Sequence, residues 1–350
     1  MSYHVLRLRT LMNRPERVDL AQAVIALDEE DPPAAMLLGD ALVKAALKSP
    51  AVEPYDLVGY WKLSARMAEV PLPAIENFFQ KTPILLHGHA HREARQALLP
   101  VYRRLETALD RWLTAFSRAF FLAREGPQPV PALLLATVFV DELNRSLLAQ
   151  DLGCPPESLP PLPNKLFNLL QRAQGLQAYD ARLNHLVQDM AHRLQAQHRN
   201  PDEAWALVSV AVMGQEALLA ALVYSLVHPT PAGRWEADAL MRAAAPVSML
   251  VGRRVLADVT LEGHGLRKGQ TVYICPFLSH RALDVPTAPG KSAASYSFGM
   301  GPHLCAGRSI ALKLTQAFLD ARHACPGLAI DGTGLRFSRD INLLVEQTYA

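Results

Sequence analysis

The sequence predicts a mainly α, single-domain protein with small β additions. Three observations carry this. Helical periodicity fills most of the 350 residues. The β-rich runs are short and fall late in the chain. No repeat or linker long enough to separate domains interrupts the pattern. With 50% hydrophobic and 19% charged residues, the composition is that of a globular chain with ample core material.

In chain order, residues 1–33 form an N-terminal segment with no assigned structure. Its first twenty residues lack an apolar core of signal-peptide length. Residues 34–48, AAMLLGDALVKAALK, space their apolar side chains as a helix does. So do 90–123, 131–150, 164–197, 203–227, 235–244 and 306–324. Prolines mark loops at 154–163 and 228–233. Residues 253–277 carry short β-rich runs around Gly263, Gly265 and Gly269, which predicts a hairpin. Residues 335–349 predict a second strand pair.

One helix stands out. Residues 206–227, ALVSVAVMGQEALLAALVYSLV, are apolar enough for a membrane span, but Gln215 and Glu216 sit at the centre. A central charge costs about 2.5–3.5 kcal/mol on insertion, so the run is expected to be the buried central helix of a soluble domain. Gly214 then costs about 1 kcal/mol relative to alanine. A buried Glu216 must find a partner or shift its pKa. Both ask for a reason.

A net charge of +2 gives no general attraction to nucleic acid. The four cysteines, Cys154, Cys275, Cys305 and Cys325, form no C-x-x-C pair. A zinc ribbon and a disulfide framework are therefore not indicated, and a reducing cytoplasm is expected.

Residues 297–307, SFGMGPHLCAG, place one of those cysteines in a glycine-rich loop just before a predicted helix. A helix start favours a thiolate, and glycines let the backbone approach a flat ligand closely. The alternative is an ordinary buried cysteine. Phe298, Gly299, Gly301, His303, Cys305 and Gly307 together resemble, at every fixed position, the haem-binding signature of the cytochrome P-450 family. The resemblance implies a haem b cofactor with Cys305 as its axial iron ligand, Phe298 near the sulfur and His303 near a haem propionate. It also implies that family's helical fold.

The likeness extends upstream. His91 and Arg95 resemble the family's H-x-x-x-R helix, whose two residues hold haem carboxylates. A competing reading makes His87, His89 and His91 a metal site. Arg242, followed by Pro246 and Val247, resembles the arginine of the E-x-x-R helix. Arg253 resembles a propionate-binding arginine, and 279–281 (SHR) a later strand end. Gly214, Gln215, Glu216 and Ala217 lie in MGQEA, which resembles the oxygen-activation motif A-G-x-[D/E]-T.

Three positions depart from the pattern. Ala239 stands where the family has glutamate. The segment 282–296 has no arginine, and Lys291 is its only basic residue. Ala217 stands where the family has a proton-delivering threonine.

Three functions stay open. The first is a monooxygenase acting on an apolar small molecule in secondary metabolism. A ferredoxin and its reductase would supply electrons, with Arg92, Arg103, Arg104, Arg308 and Lys313 as a docking face. The second is a haem-thiolate enzyme without oxygen insertion from dioxygen, such as a peroxide-using enzyme, dehydratase or isomerase. The third is a non-catalytic haem-binding module. Candidate pocket residues are Phe78, Phe79, Ile84, Val210, Met213, Val247, Met249 and Leu250. Ordinary core packing is the alternative for each.

Overall fold

The computed structural model describes residues 3–29, 33–54, 71–163, 175–228, 230, 234–250, 252–283, 296–339 and 343–347. They belong to two units. Met1–Tyr55, Asp238–Cys305 and Arg336–Glu346 make the first; Asp56–Ala237, Ala306–Leu335 and Gln347–Ala350 make the second.

The first unit is organised on a five-stranded sheet. Its order is Val24–Ala26, Ala35–Leu37, Thr271–Ile274, Arg253–Val255, Val52–Pro54. Ala35–Leu37 and Thr271–Ile274 run parallel, and the other neighbours are antiparallel. Alternate side chains enter opposite faces. Ala35, Leu37, Val272 and Ile274 pack with Leu42, Val43, Ala46 and Leu47 of the Asp40–Lys48 helix. Met36, Leu38, Tyr273 and Cys275 pack with Leu8 and Met12 of the Tyr3–Asn13 helix. Both faces are therefore apolar, and the strand shows no polar alternation. This explains why 34–48 reads as one helix in the sequence, whereas the structure holds a strand followed by a helix.

The expected hairpin region resolves into two strand pairs. Val259–Leu261 pairs with His264–Leu266, and Arg253–Val255 pairs with Thr271–Ile274. The expected tail pair forms from Leu335–Arg339 and Leu343–Gln347. Residues 279–281 are not a strand end. They lie in the Pro276–Leu283 helix, which proline opens.

The described residues of the second unit are mainly helical, with a short pairing of Val130–Pro131 with Ile330–Asp331. Its spine is the 35-residue helix Gly88–Leu122, which packs against Arg308–His323. Phe121 and Phe139 meet Phe318 edge-on, with centroids 5.0 and 4.9 Å apart. The helices Pro73–Lys81, Ala132–Leu152, Leu176–Ala196, Glu203–Met213 and Gln215–Val227 also belong to it. Of the expected 164–197 helix, 164–174 lie outside the described residues. The 203–227 run is two helices, interrupted at Gly214. It is the candidate membrane span, by length and composition, among the described residues. Its most apolar window is 67% buried, which is the packing of a core helix.

A half-buried ion network centred on Asp151 joins helices in this unit. Asp151, 3% exposed, takes Arg104 at 2.6 Å and Arg199 at 2.8 Å; the same two arginines reach Glu203 at 2.7 and 2.9 Å. Burial raises the Asp151 pKa, but the two arginines outweigh it and hold the carboxyl below its usual range. Arg104 is thus a structural ion-pair member rather than an uncommitted docking charge. Lys313 likewise pairs with Asp110 at 2.6 Å and Glu106 at 3.4 Å.

Candidate functional site: the cysteine loop and its counterparts

In the first unit the cysteine loop follows Tyr296. Tyr296–Phe298 and Gly301–His303 form single 3₁₀ turns. The Gly299 N–H donates to the Tyr296 carbonyl at 2.9 Å, and the Cys305 N–H to the Phe298 carbonyl at 2.8 Å. Gly299 and Gly301 have φ of 65° and 67°, the left-handed region where glycine costs least. A Cβ on Gly301 would also come 2.8 Å from the Leu47 carbonyl oxygen, so a side chain there would force the loop off the Asp40–Lys48 helix. The loop presents Cys305 exposed, with Phe298 and His303 half-buried. The following helix starts at Arg308 with Gly307 as its cap, two residues later than the expected 306. Segment 284–295, with Lys291, lies outside the described residues.

Arg253, on the sheet of the same unit, is 5% exposed, and its Nε has no hydrogen-bond partner. Burial pulls its pKa down to about 10, so at neutral pH the guanidinium is still charged. A buried charge without a counter-charge is costly. The donor set therefore fits an anionic group that the polypeptide does not itself supply. Of the pocket candidates in this unit, Met249 packs in the core with Leu8, Met12 and Cys275. Leu250 lies on the opposite cluster, and Val247 is half-buried.

The second unit carries the remaining candidates. His91 is buried and Arg95 half-buried, one turn apart on the Gly88–Leu122 helix. Burial, then the charges of Arg95 and Arg92, lower the His91 pKa, so the imidazole is held neutral. His89 pairs with Glu93 at 3.1 Å, and no metal-competent group of three ligands occurs among the described residues. Phe78 and Phe79 are fully buried, whereas Ile84 is exposed. Val210 and Met213 are half-buried.

At the helix break, Gly214 keeps near-helical angles (φ −89°, ψ −13°), and a Cβ there would meet nothing within 4 Å. Packing inside this unit does not demand glycine. Gln215 is buried with no partner for its Oε1. Glu216 and Ala217 are half-buried. No sequence motif singles out Tyr179. It is fully buried and its hydroxyl has no hydrogen-bond partner. Burial first, and then the charge of Glu216, raise its pKa. Its neighbour Asp180 caps the Pro73–Lys81 helix by accepting the Ile75 N–H at 2.8 Å.

Neither a protein-family model nor a curated protein sequence matches the chain. Solved structures do. P450BioI, crystallised in complex with an acyl carrier protein bearing hexadec-9Z-enoic acid, is similar over 99% of this chain and 98% of its own, at TM-score 0.71 and 15% identity. A protein described among unusual cytochrome P450-like monooxygenases of microbial secondary metabolism matches over 96% of both chains, at TM-score 0.68 and 15% identity. CYP164A2 of Mycobacterium smegmatis matches over 98% of this chain and 95% of its own, at TM-score 0.67 and 16% identity. Mainly helical with small sheets and similar to these structures over nearly its whole length, the chain has the cytochrome P450 fold.

Proposed function

We propose that the chain is a haem-thiolate oxidoreductase that inserts an oxygen atom into an apolar small molecule. The observation that carries this reading is the loop that presents an exposed Cys305 thiol on the P450 fold. Cys305 would ligate the iron of haem b. Arg253, His91, Arg95 and His303 would hold its propionates, since Arg253 already has a buried, unpartnered Nε. When bound, such a centre activates dioxygen through the electron push of its thiolate.

The chain's own part is proton supply and exclusion of water. Ala217 offers no hydroxyl, so Glu216, with Gln215, is assigned the proton route. Tyr179 adds a buried hydroxyl within the field of Glu216. Electrons would come from a ferredoxin-type partner. Arg92, Arg103 and Arg308 are exposed candidates for its docking face, and Arg104 and Lys313 are withdrawn from it by their ion pairs.

Glu216→Gln tests the reading. A positioned acid is worth on the order of 10²–10⁴-fold in rate. With a surrogate ferredoxin, its reductase and dioxygen, the variant is expected to lose at least about tenfold in turnover and to release more peroxide. Unchanged turnover and unchanged peroxide release would remove Glu216 from the route. Turnover of the wild type with peroxide alone, or with no oxidant, would replace the monooxygenase reading by the second one.

A further inference from the structure

We propose that His280, Tyr296 and Asp40 form a clamp that positions the Cys305 loop, in place of the acid that the chain lacks at Ala239. The clamp is read from the first unit alone. It rests on the haem-thiolate reading only where it makes Cys305 the ligand being positioned.

His280 is 2% exposed and both ring nitrogens are engaged. Its Nε2 lies 2.9 Å from the Tyr296 backbone nitrogen, and its Nδ1 lies 3.0 Å from the Arg242 carbonyl oxygen. A backbone N–H only donates, so Nε2 is the bare nitrogen. Nδ1 therefore carries the proton and donates to Arg242. This fixes one neutral tautomer. The imidazole also stacks on the Tyr296 ring, with centroids 5.6 Å apart and planes 16° apart.

Tyr296 is fully buried and its hydroxyl donates to the Asp40 carboxylate. Asp40 in turn holds Lys44 at 2.6 Å on the same helix. Burial raises the Asp40 pKa, but the hydrogen bonds from Lys44 and Tyr296 outweigh it and keep the carboxyl below its usual range. The acceptor is thus ionised and strong.

What the clamp grips is a helix end. The last carbonyls of a helix have no partner inside it. In Ala237–Ala244, Arg242 is met by His280, and the Met241 carbonyl, which accepts the Ala245 N–H at 3.1 Å, also accepts the Ser297 hydroxyl at 3.2 Å. Arg339 meets Ala244 at 2.9 Å. Tyr296 and Ser297 are also the residues from which the loop springs, and Gly299 folds back onto the Tyr296 carbonyl. The loop is therefore fastened at its root to the Arg242 helix through His280 and Ser297. Tyr296 and Gly301 fasten it to the Asp40–Lys48 helix. An E-x-x-R pair would make its connection through side-chain charge. Here neutral donors do so through backbone carbonyls.

The test uses full-length protein in two states. In haem-free protein, His280→Ala should speed amide exchange at Tyr296, Gly299 and Cys305 by roughly tenfold, the scale of a lost buried hydrogen bond. Amides of the Gly88–Leu122 helix should not change. Tyr296→Phe keeps the ring and loses only the Asp40 bond, so it should give a smaller rise confined to the loop. It also serves if His280→Ala does not fold. His280→Gln, with one amide donor and one acceptor, should restore part of the protection. In haem-loaded protein, the same variants should retain haem but show a smaller fraction of the red-shifted carbon-monoxide complex. Exchange that rises equally in all segments, or does not rise in the loop, overturns the clamp. A wild type without the red-shifted complex overturns the ligand assignment instead, and the exchange result still decides the clamp.

Discussion

Cys305→Ser is expected to abolish the red-shifted absorption of the reduced carbon-monoxide complex while leaving haem partly bound. A serine hydroxyl is not a thiolate, and the electron push that shifts the band is lost with the sulfur. Haem retention should fall only in part, because Arg253, His91, Arg95 and His303 are assigned to the propionates independently of the iron. The fold should survive. Cys305 is exposed, so serine there opens no core cavity. A variant with the red-shifted band intact would assign the ligand elsewhere. Cys275 and Cys325 are poor substitutes. Both are buried, and burial pushes the Cys275 thiol up to about 12 and raises Cys325 as well.

Arg253→Met should weaken haem retention and leave the haem-free protein at least as stable as the wild type. The two effects have one cause. In the protein alone the guanidinium is buried with an unpartnered Nε, and leaving such a group unsatisfied costs about 1–3 kcal/mol. Its folded pKa, about 10, lies below the ordinary 12.5. The charged form is therefore disfavoured by folding, and that penalty is present at every pH below about 10. Methionine fills similar space without the penalty. In the loaded protein the same change removes hydrogen bonds to a carboxylate, worth about 1.5–3 kcal/mol, or roughly 10- to 150-fold in affinity. Thermal melts and haem titration measure the two terms separately. A destabilised haem-free variant with unchanged haem affinity would make Arg253 a purely structural residue.

The long helices were legible because each repeats its apolar spacing over several turns. Gly88–Leu122, Ala132–Leu152 and Arg308–His323 fall within two residues of expectation at each end. The short N-terminal strands were not. Three residues cannot display a period of two, and Ala35–Leu37 is buried on both faces, so its polarity matched a helix. The cysteine loop was legible because its residues are contiguous. The clamp was not, because Tyr296 and Asp40 are 256 positions apart and His280 and Arg242 are 38 apart. Tyr179 is silent for the same reason: its burial and its nearness to Glu216 are products of helix packing. Alanine in place of glutamate at Ala239 was visible in the sequence, while the donors that reach the backbone carbonyls of the Arg242 helix needed the fold.

The most direct test of the account is iron-edge X-ray absorption on the purified, haem-loaded wild type. Ligation by Cys305 predicts four porphyrin nitrogens and one sulfur neighbour at the iron, with the sulfur lost in Cys305→Ser. A first shell of nitrogen and oxygen alone in the wild type would contradict it.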